Sequence, residues 1–252
     1  MNKRIPIAAL LAALLLTGCI LPYQVIGVHR ERILIDSRYD RQVKEAEAFL
    51  APYKAEVDKK MSPVVGTIEH AMAARKPESD LSNLLADILV WGGQTFHEQP
   101  VLGVYNMGGI RAQFAKGTVT YGDVLNVAPF ENHICFLTLS GTKLTELLKQ
   151  IASRGGEGVS RSVRMTISKD GCLLSATING QPIDPAASYR IATLDYLAQG
   201  NDGLTAFQAK TNVVSPQGEA NDVRHVICNY FRAEQQAGRT VNAQVEGRIV
   251  VR

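Results

Sequence analysis

With one tryptophan, four cysteines and five histidines in 252 residues, the chain has little of the usual material for a metal centre. None of its Cys or His spacings matches a zinc site. Net charge is also small: the formal +3 falls to +1 when Lys3 and Arg4 are set aside. That balance argues against nucleic acid or an acidic lipid surface as the partner. There is no internal repeat and no low-complexity linker, and beyond the first twenty residues no run is long and apolar enough to span a membrane. An apolar content of 46% makes a folded chain, not a disordered one, the expectation.

The start of the chain has its own pattern. Lys3 and Arg4 precede an almost purely apolar run, Ile5 to Leu16, and small residues follow. This is the layout of a secretory signal, shorter than the roughly 20 residues of a spanning helix. Leu16-Thr17-Gly18-Cys19 resembles a lipobox, which implies cleavage before Cys19 and acylation of its thiol. The alternatives are an ordinary signal cut elsewhere or an uncleaved anchor. The expected organisation is a signal peptide over residues 1–18, a lipidated tether over 19–37 and one domain over 38–252. The expected location is the bacterial cell envelope, with the protein exported and held on a membrane by lipid on Cys19. Several acyl chains, at roughly 0.8 kcal/mol per buried CH₂, make such an anchor stable. Cys135, Cys172 and Cys228 then remain; one disulfide is possible, and Cys135, in an apolar run, reads as core packing.

Periodicity predicts a short strand near Ile33-Leu34-Ile35. A charged helix follows with a stripe of Val43, Ala46, Leu50, Tyr53 and Val57, broken or kinked at Pro52. A strand over 63–68 and a helix capped by Ser79, with Leu81, Leu84, Leu85, Ile88 and Leu89 inward, come next. Strands are expected at 101–105, 133–139 and 189–194, and a hairpin at 163–168 and 173–178. Helices are expected around 144–151 and 223–237, and a last strand at 248–251. Gly155-Gly156-Glu157-Gly158 reads as a flexible loop. Without regular βαβ alternation, the fold class is α+β, a complex mixture of sheets and packed helices.

Three segments carry chemistry. Asn106-Met107-Gly108-Gly109-Ile110-Arg111 follows a buried strand; Gly108 and Gly109 allow a tight turn and close backbone approach, and Arg111 can grip phosphate through its planar fork. The segment is too short for a dinucleotide fingerprint and lacks the Lys-Ser/Thr of a P-loop. Pro129-Phe130-Glu131-Asn132 offers an aromatic to stack on a flat ring and an amide to read a base edge, unless Phe130 simply tucks into the core. Tyr196 to Gly203 supplies a second aromatic and, in Asp202, a carboxylate able to accept from sugar hydroxyls; the bland alternative is a turn aspartate.

In this order the three segments resemble the C-terminal domain of the 5′-nucleotidase family, which includes UDP-sugar hydrolases. Glu78 to Asp87 resembles the family's opening helix, and the likeness runs from about residue 40 to the end. The resemblance implies that Phe130 and Tyr196 clamp the nucleobase, Asp202 holds the ribose, Asn132 or Asn106 meets the base and Arg111 binds phosphate. Met107, Glu131 and Asn201 stand where glycine is usual, and Tyr196 where phenylalanine is frequent. Pro77, beside Arg75 and Lys76, stands where a further phosphate-binding arginine is expected.

The same resemblance implies a metallophosphatase domain in the two-domain enzymes, where two metal ions clamp phosphate and activate water. His29, His70, His97, His133 and His225 lie in no segment of that kind, so no cofactor is expected on this chain. Divalent metal ions are expected on a separately encoded metallophosphatase partner. The chain is thus expected to be the substrate-binding half of a nucleotide or nucleotide-sugar phosphohydrolase. The alternative is a non-catalytic nucleotide-binding lipoprotein, and a third option is an envelope protein that kept only the fold.

Overall fold

The computed structural model describes residues 25–39 and 43–252, so the leader and Cys19 lie outside the described residues. Leu50–Arg252 forms one compact unit, and the described residues before it belong to another. The first long element, α1 (Lys44–Met61), contains Pro52 yet runs as a single helix with no buried residue. The expected break does not occur; Ala, Glu and Lys on both sides are strong helix formers and carry the turns around the proline. Ile33-Leu34-Ile35 is not a strand; the nearest element is a 3₁₀ turn at Ser37–Tyr39. A strand needs a ladder partner for its backbone groups, and this segment has none among the described residues.

The rest of the chain follows as β1 (Val64–Ile68), α2 (Asp80–Gly92), β2 (Leu102–Tyr105), β3 (Gly117–Thr120), α3 (Tyr121–Val127), β4 (Ile134–Ser140), α4 (Gly141–Ser153), β5 (Gly158–Val159), β6 (Val163–Ile167) and β7 (Leu173–Ile178). It closes with β8 (Gln181–Pro182), β9 (Ser188–Leu194), α5 (Asp195–Ala198), β10 (Thr211–Val214), α6 (Val223–Gln236) and β11 (Ile249–Val251). One sheet has the order β10-β4-β9-β2-β5, a second β11-β6-β7-β8, and β1 pairs with β3. Parallel pairs (β2 with β9, β6 with β11) sit among antiparallel ones, so the mixed α+β architecture expected from the sequence is the one observed.

α2 is the apolar centre. Ser79 caps it: its Oγ accepts from the Ser82 N–H while Ser82 Oγ accepts from the Ser79 N–H. Leu81, Leu84, Leu85, Ile88 and Leu89 are all buried and face β2, β5 and α6. The acids at the two ends of this segment serve the fold. Glu78 accepts from Asn83 Nδ2 at 2.7 Å and from the backbone of Glu246 and Ile249 at 2.8 and 3.2 Å. Asp87 takes the buried Arg248 guanidinium in a two-pronged pair at 3.0 and 2.8 Å. Together they tie the C-terminal strand to α2. Cys135 and Cys228 are buried, Cys172 is exposed, and all three are free thiols; the disulfide left open by the sequence is not formed.

Candidate functional site

Strand direction gathers the three chemical segments. β2 and β9 are parallel neighbours, with Leu102 beside Ile191, so their carboxyl ends share one edge of the sheet. Asn106 leaves the end of β2 and Tyr196 the end of β9. β4 runs antiparallel to β9 with Ile134 opposite Leu194, which brings the loop before β4, holding Phe130 and Asn132, to the same edge. Crevices at the carboxyl ends of parallel strands are common ligand sites.

There a cavity of about 200 Å³ is lined by Asn106, Gly108, Gly109, Phe130, Asn132, Tyr196 and Asp202. Arg111 is not among the lining residues. It is exposed, its N–H donates to Val127 O at 2.9 Å, and its Nη1 donates to Gly108 O at 3.3 Å. Phe130 and Tyr196 are 48% and 38% exposed. Two large rings left in water on one concavity is the informative kind of exposure, because folding alone favours burying them. Among the described residues neither ring stacks on the other.

Asp202 is the polar hub. It accepts from Asn106 Nδ2 at 2.6 Å and from the Tyr196 hydroxyl at 3.0 Å. Donating to that carboxylate raises the Tyr196 pKa above its ordinary value. Asp202 sits at φ 54°, in the left-handed region that non-glycine residues seldom adopt. Such backbone concentrates at functional sites. Asn106 is buried, and its Oδ1 has no hydrogen-bond partner among the described residues, leaving an acceptor unsatisfied beside the cavity. A Cβ on Gly109 would stand 2.7 Å from that oxygen, so a larger residue there would have to displace the Asn106 amide.

A further cluster escaped the sequence reading. Gly155 to Gly158, expected as a flexible loop, is packed: Gly158 opens β5, and the Glu157 side chain is fully buried. Glu157 Oε2 accepts from the N–H of Met107, in the turn that forms the cavity floor. Its Oε1 accepts from Arg154 Nε at 2.7 Å, with Lys76 Nζ at 3.4 Å. A glycine-rich stretch looks mobile in sequence, and only packing shows an acid bracing it. Arg75 instead lines a separate surface cavity with Glu78 and Asp80.

As for metals, no group of three or more His, Cys, Asp or Glu among the described residues is placed to hold an ion.

The family model for the 5′-nucleotidase C-terminal domain matches residues 64–209, which include the strand ends and loops just described. The chain belongs to this family. Protein UshA of Salmonella pullorum is 34% identical over 116 residues, covering 45% of this chain and 21% of that protein. The trifunctional nucleotide phosphoesterase protein YfkN of Bacillus subtilis is 28% identical over 225 residues, covering 81% of this chain and 15% of that protein. A 5′-nucleotidase precursor structure from Thermus thermophilus superposes with a TM-score of 0.71 at 24% identity, covering 82% of this chain and 43% of that one. The match therefore spans only a fraction of these relatives, and the structural likeness speaks for the 5′-nucleotidase C-terminal fold alone.

Proposed function

We propose that this 5′-nucleotidase C-terminal domain binds nucleotides or nucleotide sugars and serves as the substrate-binding half of a phosphohydrolase. The observation that carries the reading is the single concavity holding two exposed aromatics, a braced carboxylate and an unsatisfied amide oxygen. A base between Phe130 and Tyr196 would gain stacking, a ribose diol would donate to the free lone pairs of Asp202, and a base or sugar donor would satisfy Asn106 Oδ1. Asn132 offers a second amide to the base, and Arg111, at the rim, can reach a phosphate that extends outward.

In this proposal the chemistry belongs to a separately encoded metallophosphatase that carries the divalent metal ions. Lipid on Cys19 holds the exported protein on an envelope membrane, where two tethered halves meet at raised effective concentration. The second reading, a lipoprotein that only captures nucleotides, draws on the lack of a metal-holding cluster among the described residues. Phosphate release from AMP and UDP-glucose, measured with divalent metal for the chain alone and with a separately expressed metallophosphatase chain, separates the two. Release only with the partner supports the split enzyme; binding without release in both arms supports capture. Nucleotide affinity unchanged in Phe130→Ala and Tyr196→Ala would overturn the pocket itself.

A further inference from the structure

We infer, resting on the nucleotide pocket proposed above, that Arg154 is a second anion-binding residue of that pocket, contacting phosphate on the bound nucleotide, and that Glu157 positions it. Arg154 caps the end of α4 and uses only Nε in its bond to Glu157. Its two terminal nitrogens have no hydrogen-bond partner among the described residues, and the side chain is 33% exposed. Nη1 lies on the Asp202 side of the residue: a Cβ built on Gly203, next to Asp202 of the cavity lining, would lie 3.8 Å from it. The positive charge is close enough to oppose the rise in the Tyr196 pKa.

The root of the side chain is held in place. Glu157 is fully buried, so its charge needs the two cations beside it. Lys76 Nζ also donates to Arg154 O at 2.6 Å, fixing the backbone. Gly156, at φ 107°, lies so close on Pro77 that a Cβ there would meet Pro77 O at 2.3 Å. One buried acid flanked by Arg154 and Lys76 leaves a net positive charge beside Asp202. A planar guanidinium with its outer edge free and its inner nitrogen anchored suits a two-pronged grip on phosphate. The same Glu157 braces the Met107 N–H, so the cavity floor and the cation share one support.

The test is calorimetric binding of adenosine and AMP to the full chain and to R154Q and R154K. Lys76 remains to neutralise Glu157 in both variants, and thermal melts check that they fold. R154Q is expected to weaken AMP at least ~10-fold while adenosine stays within about twofold, and R154K to recover part of the loss. The salt dependence of AMP binding should flatten in R154Q. Equal losses for both ligands, or no loss for AMP, would overturn the assignment. Wild-type chain that binds adenosine and AMP equally well also overturns it while leaving the pocket standing; wild-type chain that binds neither overturns both.

Discussion

The Tyr196 hydroxyl donates to Asp202 Oδ1 at 3.0 Å, joining a stacking aromatic to the carboxylate proposed to hold the sugar. With Asn106 on the other oxygen, Asp202 is oriented before any ligand arrives. Preorganisation of this kind reduces the ordering cost of binding.

Tyr196→Phe therefore separates the ring from its hydroxyl. It should keep base stacking and weaken nucleoside binding by ~3- to 10-fold, one neutral-to-charged hydrogen bond, whereas Tyr196→Ala should cost more. The contact also has a pH signature. The Tyr196 pKa is raised above its ordinary 10.0, so the bond is intact below pH 10 and is lost as the pH climbs through the raised value. Ultraviolet titration should show one late-titrating tyrosine fewer in Tyr196→Phe than in wild type, while Tyr105 and Tyr230, raised by burial, titrate late in both.

Asp202→Asn should weaken adenosine, and the same substitution should change little for 2′,3′-dideoxyadenosine. The carboxylate has lone pairs left after Asn106 and Tyr196 for a diol, and the dideoxy ligand has no diol to offer. A calorimetric comparison of the two ligands decides it. Equal losses would mean that Asp202 only shapes the turn.

The three thiols should react at very different rates. Burial pushes the Cys228 thiol up to about 11 and raises Cys135 as well, while Cys172 is exposed. At pH 8 an alkylating reagent followed by mass spectrometry should mark Cys172 first and the other two only on unfolding. Because the folded pKa of Cys228 lies above its ordinary 9.0, its contribution to stability is complete below pH 9 and declines as the pH rises toward 11.

Arg248→Met should lower stability by about 3 kcal/mol, read as a shift of the urea midpoint, because it strands the carboxylate of Asp87. Arg161 Nε, 3.3 Å from Asp87 Oδ2, keeps the loss near the lower end of the range for broken buried pairs. Nucleotide affinity should survive in native conditions, since neither residue lines the cavity.

Much of the fold was legible because its signals are local. The Ser79 cap and the leucine stripe behind it mark α2, and apolar alternation marks β6. Local signals failed where the outcome depends on partners. Ile33-Leu34-Ile35 has strand composition but, among the described residues, no strand to pair with, and Pro52 is tolerated because strong helix formers surround it. Glu157 looked like part of a mobile loop because no local pattern shows that a distant turn needs its oxygen.

For the site, the sequence by itself determined the chemical kit: two aromatics, two amides, a carboxylate and a glycine turn, in an order that marks the 5′-nucleotidase C-terminal family. Residue type sets what each group can donate, accept or stack. Only the tertiary structure decided which of them meet. The parallel pairing of β2 with β9 sets Asn106 beside Asp202, 96 positions apart in the chain. The same packing leaves Arg111 off the cavity lining, bonded to Gly108 O, and brings Arg154 toward Asp202, because the buried Glu157 holds that guanidinium whatever its distance along the sequence.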